Sequence, residues 1–239
     1  MADILVIIPT YNERENITAL CRELLATSQE IEILVVDDNS PDDTAKVVAD
    51  LAATNERVHL VVREGKGGRG GAVLAGMAWG LARPYRLFFE MDADFSHRPC
   101  EVPLFLEAIR RADVVVGSRY LPSSRIVNWP RLRRFFSGWA NRYARFFLGI
   151  PITDYTNGYR CYRREAAAAI NPDAINARGY IVLSEIAVQL HSKDFKFAEV
   201  PTVFVNRRRG ESNLSRREIT SAFWGVLSLW WRYRRPLSP

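Results

Sequence analysis

Three cysteines in 239 residues, Cys21, Cys100 and Cys161, are too few and too far apart for a disulfide framework or a zinc spacing. The chain is therefore expected to work in a reducing compartment, with its thiols as packing groups. Histidine is scarce too. His59, His97 and His191 stand singly, so none is expected to ligate a metal. No apolar window approaches the roughly 20 residues that cross a bilayer. The short run at residues 4–8 follows Asp3, where a signal peptide would carry positive charge. The expectation is a cytoplasmic protein. Internal repeats and low-complexity linkers are missing. So is acid from one stretch: residues 119–153 hold seven arginines and no Asp or Glu.

With 48% hydrophobic and 25% charged residues, the chain can bury a sizeable core. Its net charge of +6 is unevenly spread. Residues 1–118 hold 12 Lys/Arg against 19 Asp/Glu, 154–205 balance at six and six, and 206–239 carry eight arginines and two acids. The acidic half suits a cation. The basic half suits phosphate, nucleic acid or anionic lipid.

Apolar runs and helical periodicity alternate through the first half. Strands are expected at 3–10, 31–40, 58–64, 85–94 and 112–120, with helices between them. Asn12 is the candidate N-cap of the first helix. Ser40 is that of the second, with Pro41 at its first position. The alternation predicts an α/β fold with a mostly parallel sheet and ligands at the carboxyl ends of its strands. Three of those ends are polar: "PTYNE", "DDNS" and "DADFSH". A late strand is expected at 197–206. Aromatics at 135, 136, 139, 143, 146 and 147 mark one helical face. Positions 219, 222, 223, 226, 227 and 230 mark another. Such stripes either pack on the domain's own core or lie at a membrane interface, and arginines flank both. The expected organisation is a main domain at 1–213 and a basic amphipathic helix at 214–239 in peripheral membrane contact.

Two pieces suggest chemistry on their own. Asp92 and Asp94 share one side if the strand persists that far. Two like charges so placed repel unless a cation lies with them. Mg²⁺ or Mn²⁺ would suit, being held by few carboxylates plus water and phosphate oxygens. The alternative is an acidic turn in water. "GKGGRGG" (65–71) is either a phosphate cradle or a surface loop, and it matches neither the P-loop nor the dinucleotide pattern.

"PTYNERENI", "VVDDNSPDDT", "DADFSH", "GSRY", "GYRCYRRE" and "EVPTVFVNRRRGES" follow one another in this order. Together they resemble the inverting glycosyltransferases of family two, which have the GT-A fold. Within them, the pattern is most similar to the dolichyl-phosphate (polyprenol monophosphate) mannosyltransferases. The resemblance covers about residues 4–230. It implies that Pro9, Tyr11, Glu13, Val35 and Asp37 line a nucleotide pocket. Asp92, Ala93 and Asp94 would hold the nucleotide sugar and its metal, with Ser96 beside the cation. Arg119, Arg133 and Ser137 would bind the acceptor phosphate, and Arg207 would close over the donor. Asp94, Arg119 and Arg207 are the implied catalytic residues. The pattern departs in places. Asn213 replaces a donor-contacting lysine, "KLGLGTA" reads "KGGRGGA" at 66–72, and "TSGFR" reads "TNGYR" at 156–160. Glu185 is either a motif residue or an ion-pair partner within the helices, and Asp154 a structural residue shaping the acceptor side.

The function so implied is transfer of mannose from GDP-mannose to a dolichyl or polyprenyl phosphate, with inversion. UDP-glucose or UDP-GlcNAc is the alternative donor. The implied setting is the cytosolic membrane face, reached by peripheral attachment or through a small membrane-anchoring subunit. A nucleic-acid-binding protein is the competing class. It fits the pI of 9.4 but not the acidic amino-terminal half, and no nucleic-acid motif is present, so no nucleic-acid partner is expected.

Overall fold

The computed structural model describes residues 3–65, 67–176, 179, 181–205 and 216–234. Its first half alternates as β1 (Ile4–Thr10), α1 (Arg14–Thr27), β2 (Ile31–Asp37), α2 (Thr44–Thr54), β3 (Val58–Val62), α3 (Gly68–Leu81) and β4 (Leu87–Glu90). There follow α4 (Val102–Ala108), β5 (Val114–Ser118), β6 (Arg125–Val127), α5 (Arg131–Leu148), β7 (Arg160–Arg163) and α6 (Arg164–Ala169). The chain closes with α7 (Ile181–His191), β8 (Phe197–Pro201), β9 (Val203–Val205) and α8 (Arg216–Arg234).

Seven strands form one sheet in the order β3-β2-β1-β4-β7-β5-β8. All pairs are parallel except those of β7, which runs antiparallel between β4 and β5. The parity of side chains along each strand builds two cores. Leu5, Ile7, Leu34 and Val36 face α3 and α7. Ile4, Val6, Ile8, Ile31, Ile33 and Val35 face α1 and α2. With both faces covered, the strands read as continuous apolar runs rather than alternating ones. Gly76 and Gly80 let α3 lie close on the sheet: a Cβ on either would stand 2.5 Å from Ile7 or Leu5. Cys21 and Cys161 are buried, and burial pushes the Cys21 thiol up to about 12.

Several local expectations shift. Asn12 is not the cap of α1. It adopts the left-handed backbone (φ 62°), Glu13 is the N-cap, and the helix starts at Arg14. Pro41 is not the first residue of α2. That helix starts at Thr44, whose backbone N–H is capped by the Asp42 carboxylate at 3.0 Å. The late strand is two. β8 joins the main sheet, and β9 leaves it to pair with β6. The fourth strand ends at Glu90, four residues early. α8 lies against α5 and α7, with Val226 and Leu229 buried. Glu185, fully buried on α7, is ion-paired with Arg232 of α8, the partner role that was one of its two expectations. Among the described residues no helix is long and apolar enough to cross a membrane.

Candidate active site

The sheet order reverses direction at β1, which lies between β2 and β4. Parallel α/β sheets open a crevice at such a point, outside the carboxyl ends of the strands. Thr10 pairs with Asp37 at that edge, and Ile7 with Glu90. The loops after β1 and β2 are laced together. Thr10 Oγ1 donates to Asp37 Oδ1 (2.7 Å), the Ser40 N–H to Asp37 Oδ2 (2.8 Å), and the Glu13 N–H to Thr44 Oγ1 (3.0 Å). Pro9 and Glu13 are half-buried at this edge and Tyr11 is exposed. Asp37 is buried. Val35 is core, its side chain packed in the cluster under α1 and α2.

The paired carboxylates do not share a strand face, because β4 has already ended. Arg69 takes one of them instead. Its Nε donates to Asp92 Oδ1 (2.6 Å), its Nη1 to Glu90 Oε2 (2.9 Å) and its Nη2 to the Gly158 carbonyl (2.9 Å). Burial opposes the guanidinium's charge, but Asp92 and Glu90 outweigh it and raise its pKa. Gly158 must stay glycine here, since a Cβ would lie 1.9 Å from Arg69 Nη2. "GKGGRGG" is thus largely the first turn of α3, and Asp38 caps it by accepting from the Gly68 N–H at 2.8 Å. Its arginine serves carboxylates of this chain, so it is not spare charge for a ligand.

Asp94, half-buried, accepts from the Ser96 N–H at 3.0 Å. Ala93 and Ser96 are buried, and Phe95 between Asp94 and Ser96 takes a left-handed backbone (φ 58°). Ser96 Oγ is buried without a hydrogen-bond partner among the described residues. A buried hydroxyl in that state points to a missing ligand. Carboxylate and hydroxyl oxygens are the donors that Mg²⁺ or Mn²⁺ prefers. Among the described residues no three His, Cys, Asp or Glu side chains gather to hold a metal alone. A cation here would need oxygens from a bound phosphate as well, as Mg²⁺ sites commonly do.

A second cluster lies across the sheet. Arg119, at the end of β5, is clamped by buried Asp154 through Nε (2.7 Å) and Nη2 (2.8 Å), and Nη2 also reaches Thr156 Oγ1 (2.7 Å). The Arg119 guanidinium carbon is 5.3 Å from the centre of the Trp129 ring, and that of Arg133 is 4.2 Å away. Tyr120 donates its hydroxyl proton to Ser137 Oγ at 2.6 Å. Arg119 at the end of β5 and Arg133 and Ser137, one turn apart on α5, are therefore brought together around Trp129 and Tyr120. Trp129 Nε1 is a buried donor with no partner among the described residues.

One buried network joins the clusters, and the sequence alone did not disclose it. The Asp92 N–H donates to His97 Nδ1 (3.0 Å), so the ring proton sits on Nε2, which donates to Asn157 Oδ1 (2.8 Å). The Asn157 N–H in turn donates to Asp154 Oδ1 (3.1 Å), which holds Arg119. The only local signal was a histidine three residues after the second aspartate. Arg207 and Asn213 lie outside the described residues. The described chain before them ends at Val205, whose N–H donates to the Ser96 carbonyl at 3.4 Å.

Asp154 gives a pH test. Burial pushes its carboxyl up, but Arg119 and the surrounding N–H donors more than offset that and hold it below the usual carboxylate range. A carboxyl depressed in the folded state stabilises fully above its unfolded value of about 3.9. That contribution is lost as pH falls through the folded value. Urea midpoints should therefore be insensitive to this pair from pH 7 down to about 4 and should fall below it. Asp154→Asn should remove about 1.4 kcal/mol per pH unit from the acid slope. An unchanged slope in that variant would refute the assignment.

The profile of glycosyl transferase family 2 matches residues 5–170. The chain is 41% identical to an undecaprenyl-phosphate mannosyltransferase of Micrococcus luteus over 95% of its length and 96% of that protein's. It is 43% identical to a polyprenol monophosphomannose synthase of Mycolicibacterium smegmatis, over 93% and 86%. Glucosyl-3-phosphoglycerate synthase of Mycobacterium tuberculosis, crystallised with Mn²⁺ and uridine diphosphate, shares the fold. The TM-score is 0.68 at 19% identity, over 99% of this chain and 82% of that one. The crevice at the sheet's reversal point and these likenesses agree: the chain belongs to glycosyl transferase family 2.

Proposed function

We propose that this glycosyltransferase moves mannose from GDP-mannose to the phosphate of a polyprenyl or dolichyl phosphate, inverting the anomeric configuration. The observation that carries the reading is the pairing of two sites on one buried network. A carboxylate edge suited to a nucleoside diphosphate lies at one end and an arginine–aromatic cluster suited to a phosphate at the other. Near full-length likeness to two prenyl-phosphate mannosyltransferases supports it.

Pro9, Tyr11, Glu13, Asp37 and the backbone near Val35 would receive the nucleoside, with Asp92 and Ala93 beside the sugar. Asp94 and Ser96, with Asp92 adjoining, would hold Mg²⁺ or Mn²⁺, which when bound neutralises diphosphate charge. Arg207 is assigned to the same diphosphate and Asn213 to the donor. Val205, two residues before Arg207, donates its N–H to the Ser96 carbonyl. Arg133, Ser137 and the Trp129 N–H would orient the acceptor phosphate, while Asp154 fixes the Arg119 guanidinium. An acceptor oxygen attacks the anomeric carbon as the bond to the diphosphate breaks, and the nucleotide leaves with the electron pair. A phosphate monoester has its second pKa near about 6 and is already anionic at neutral pH, so no general base is required. Arginine forks suit the positioning that is required.

The acceptor lies in a membrane, so the enzyme must meet one. Phe135, Trp139 and Phe146 on α5 and Trp224 and Trp231 on α8 are exposed, the pattern of interfacial helices at a cytosolic surface. Labelled GDP-mannose, UDP-glucose and UDP-GlcNAc, each offered with polyprenyl phosphate and Mg²⁺ or Mn²⁺, test the proposal. Label should enter the organic phase from GDP-mannose. No transfer from any donor would end the enzyme reading.

A further inference from the structure

α5 has three faces. One, with Asn141 and Ala144, is buried, and Arg133 and Ser137 adjoin the acceptor cluster. A second is aromatic and meets α8, with Tyr143 stacked on Phe223 at 4.8 Å and Phe147 edge-on to Trp230 at 5.7 Å. The third has no part in the proposed reaction. Arg134, Gly138, Arg142 and Arg145 fall on it at helical spacing. There α5 and the Tyr120 and Thr153 segments enclose an open cleft of about 450 Å³.

The cleft is built for an anion. Its three arginines are exposed, none makes an ion pair among the described residues, and no acid lines it. Arg142 and Arg145 are neighbours one helical turn apart, so their charges repel, and an anion between them removes that cost. The floor at Gly138 is uncrowded: a Cβ there would meet only Tyr120 Cε1 within 4 Å, at an ordinary contact distance of 3.7 Å. The rim is apolar, and Phe135 and Trp139 border the cleft while Phe146 is 82% exposed beside it. Exposed arginines beside exposed aromatics match a lipid headgroup and its chains, whereas a free phosphate would leave the aromatic rim uncovered.

We infer that this cleft is a second phosphate site, adjoining the acceptor cluster at Tyr120, that takes the headgroup phosphate of an anionic membrane phospholipid. Bound there, the lipid would hold α5 in the plane of the membrane, with the Arg119–Arg133 cluster one helix face away from the bilayer surface. The inference rests on the membrane contact proposed above but not on the identity of the donor.

The full-length protein would be sedimented with vesicles of phosphatidylcholine containing 30% phosphatidylglycerol, and with phosphatidylcholine alone. The variant R134Q/R142Q/R145Q should bind the anionic vesicles on the order of 100-fold more weakly. Its binding to phosphatidylcholine and its transfer to a water-soluble short-chain acceptor should be unchanged. A control with the same loss of charge elsewhere, R22Q/R110Q/R111Q, should change binding by no more than about twofold. Equal losses in the two variants would show diffuse attraction and overturn the site. Release of the wild type by millimolar inorganic phosphate at constant ionic strength would assign the cleft to free phosphate and overturn the lipid. Wild type that transfers mannose yet ignores phosphatidylglycerol would sink this inference alone. Arginine-dependent vesicle binding without any transfer would sink only the proposed activity.

Discussion

Asp94→Ala should lower transfer by about 10³-fold or more and leave the fold intact. Asp94 is half-buried in a loop, and the hydrogen bond it accepts from the Ser96 N–H closes a local turn. Loss of such a bond costs about 1 kcal/mol, which the sheet will bear. Loss of a carboxylate that steadies a departing diphosphate acts on the barrier itself. Asp94→Asn separates the two roles. The amide oxygen can still accept from Ser96, so the turn survives, but the charge is gone and activity should remain lost. The checks are steady-state transfer with saturating Mn²⁺, thermal denaturation, and the fall in free Mn²⁺ spin resonance when protein and GDP are mixed. Either variant transferring at the wild-type rate would refute the metal role of Asp94. Wild-type transfer that persists in excess chelator would refute the cation itself.

Arg69→Ala should be the most destabilising single change near the site, by about 3–5 kcal/mol, or roughly 10 °C in Tm. Glu90 is fully buried, and its described partners are Arg69 and the Tyr162 hydroxyl, which donates to Oε1 at 2.6 Å. Without the guanidinium a charge is stranded in the interior, and the Gly158 carbonyl and Asp92 lose their donor as well. The resemblance puts leucine where this chain has Arg69. Arg69→Leu should therefore fail alone and recover most of its stability when combined with Glu90→Gln, whose neutral side chain still accepts from Tyr162. The double variant should fold yet transfer poorly, because Asp92 is no longer held. Donor KM should rise while acceptor KM stays put. A double variant no more stable than Arg69→Leu would show that burial of the Glu90 charge is not what Arg69 offsets.

Much of the frame was legible in the chain. Continuous β-branched runs at 4–8 and 31–36 need both sides of a sheet covered, and both sides are covered. Polar residues closing those runs mark the sheet edge at which the proposed site lies. The ordered motifs identified the family. These signals are local: each depends on residues a few positions apart, whose preferences persist in any fold that accommodates them. The antiparallel β7 was missed because "RCYR" is four residues long and its pairing partners lie 44–76 positions away. The strand through Asp94 was overdrawn because alternation continues in the sequence after the backbone has turned.

Fold class, the polar carboxyl edge of the sheet and the stock of charges were thus determined by the sequence itself. Tertiary structure decided what each charge is for. Arg69 looked like a ligand-binding residue until β4 brought it Asp92 and Glu90, and His97 looked isolated until the loop before β7 brought it Asn157. The aromatic stripes of α5 and α8 were ambiguous for the same reason. A hydrophobic face has one sequence signature whether a helix or a bilayer covers it. In the folded chain part of each stripe is covered by the other helix and part is left outside. Pairing across tens of residues depends on where the backbone goes, and no periodicity within a segment encodes that.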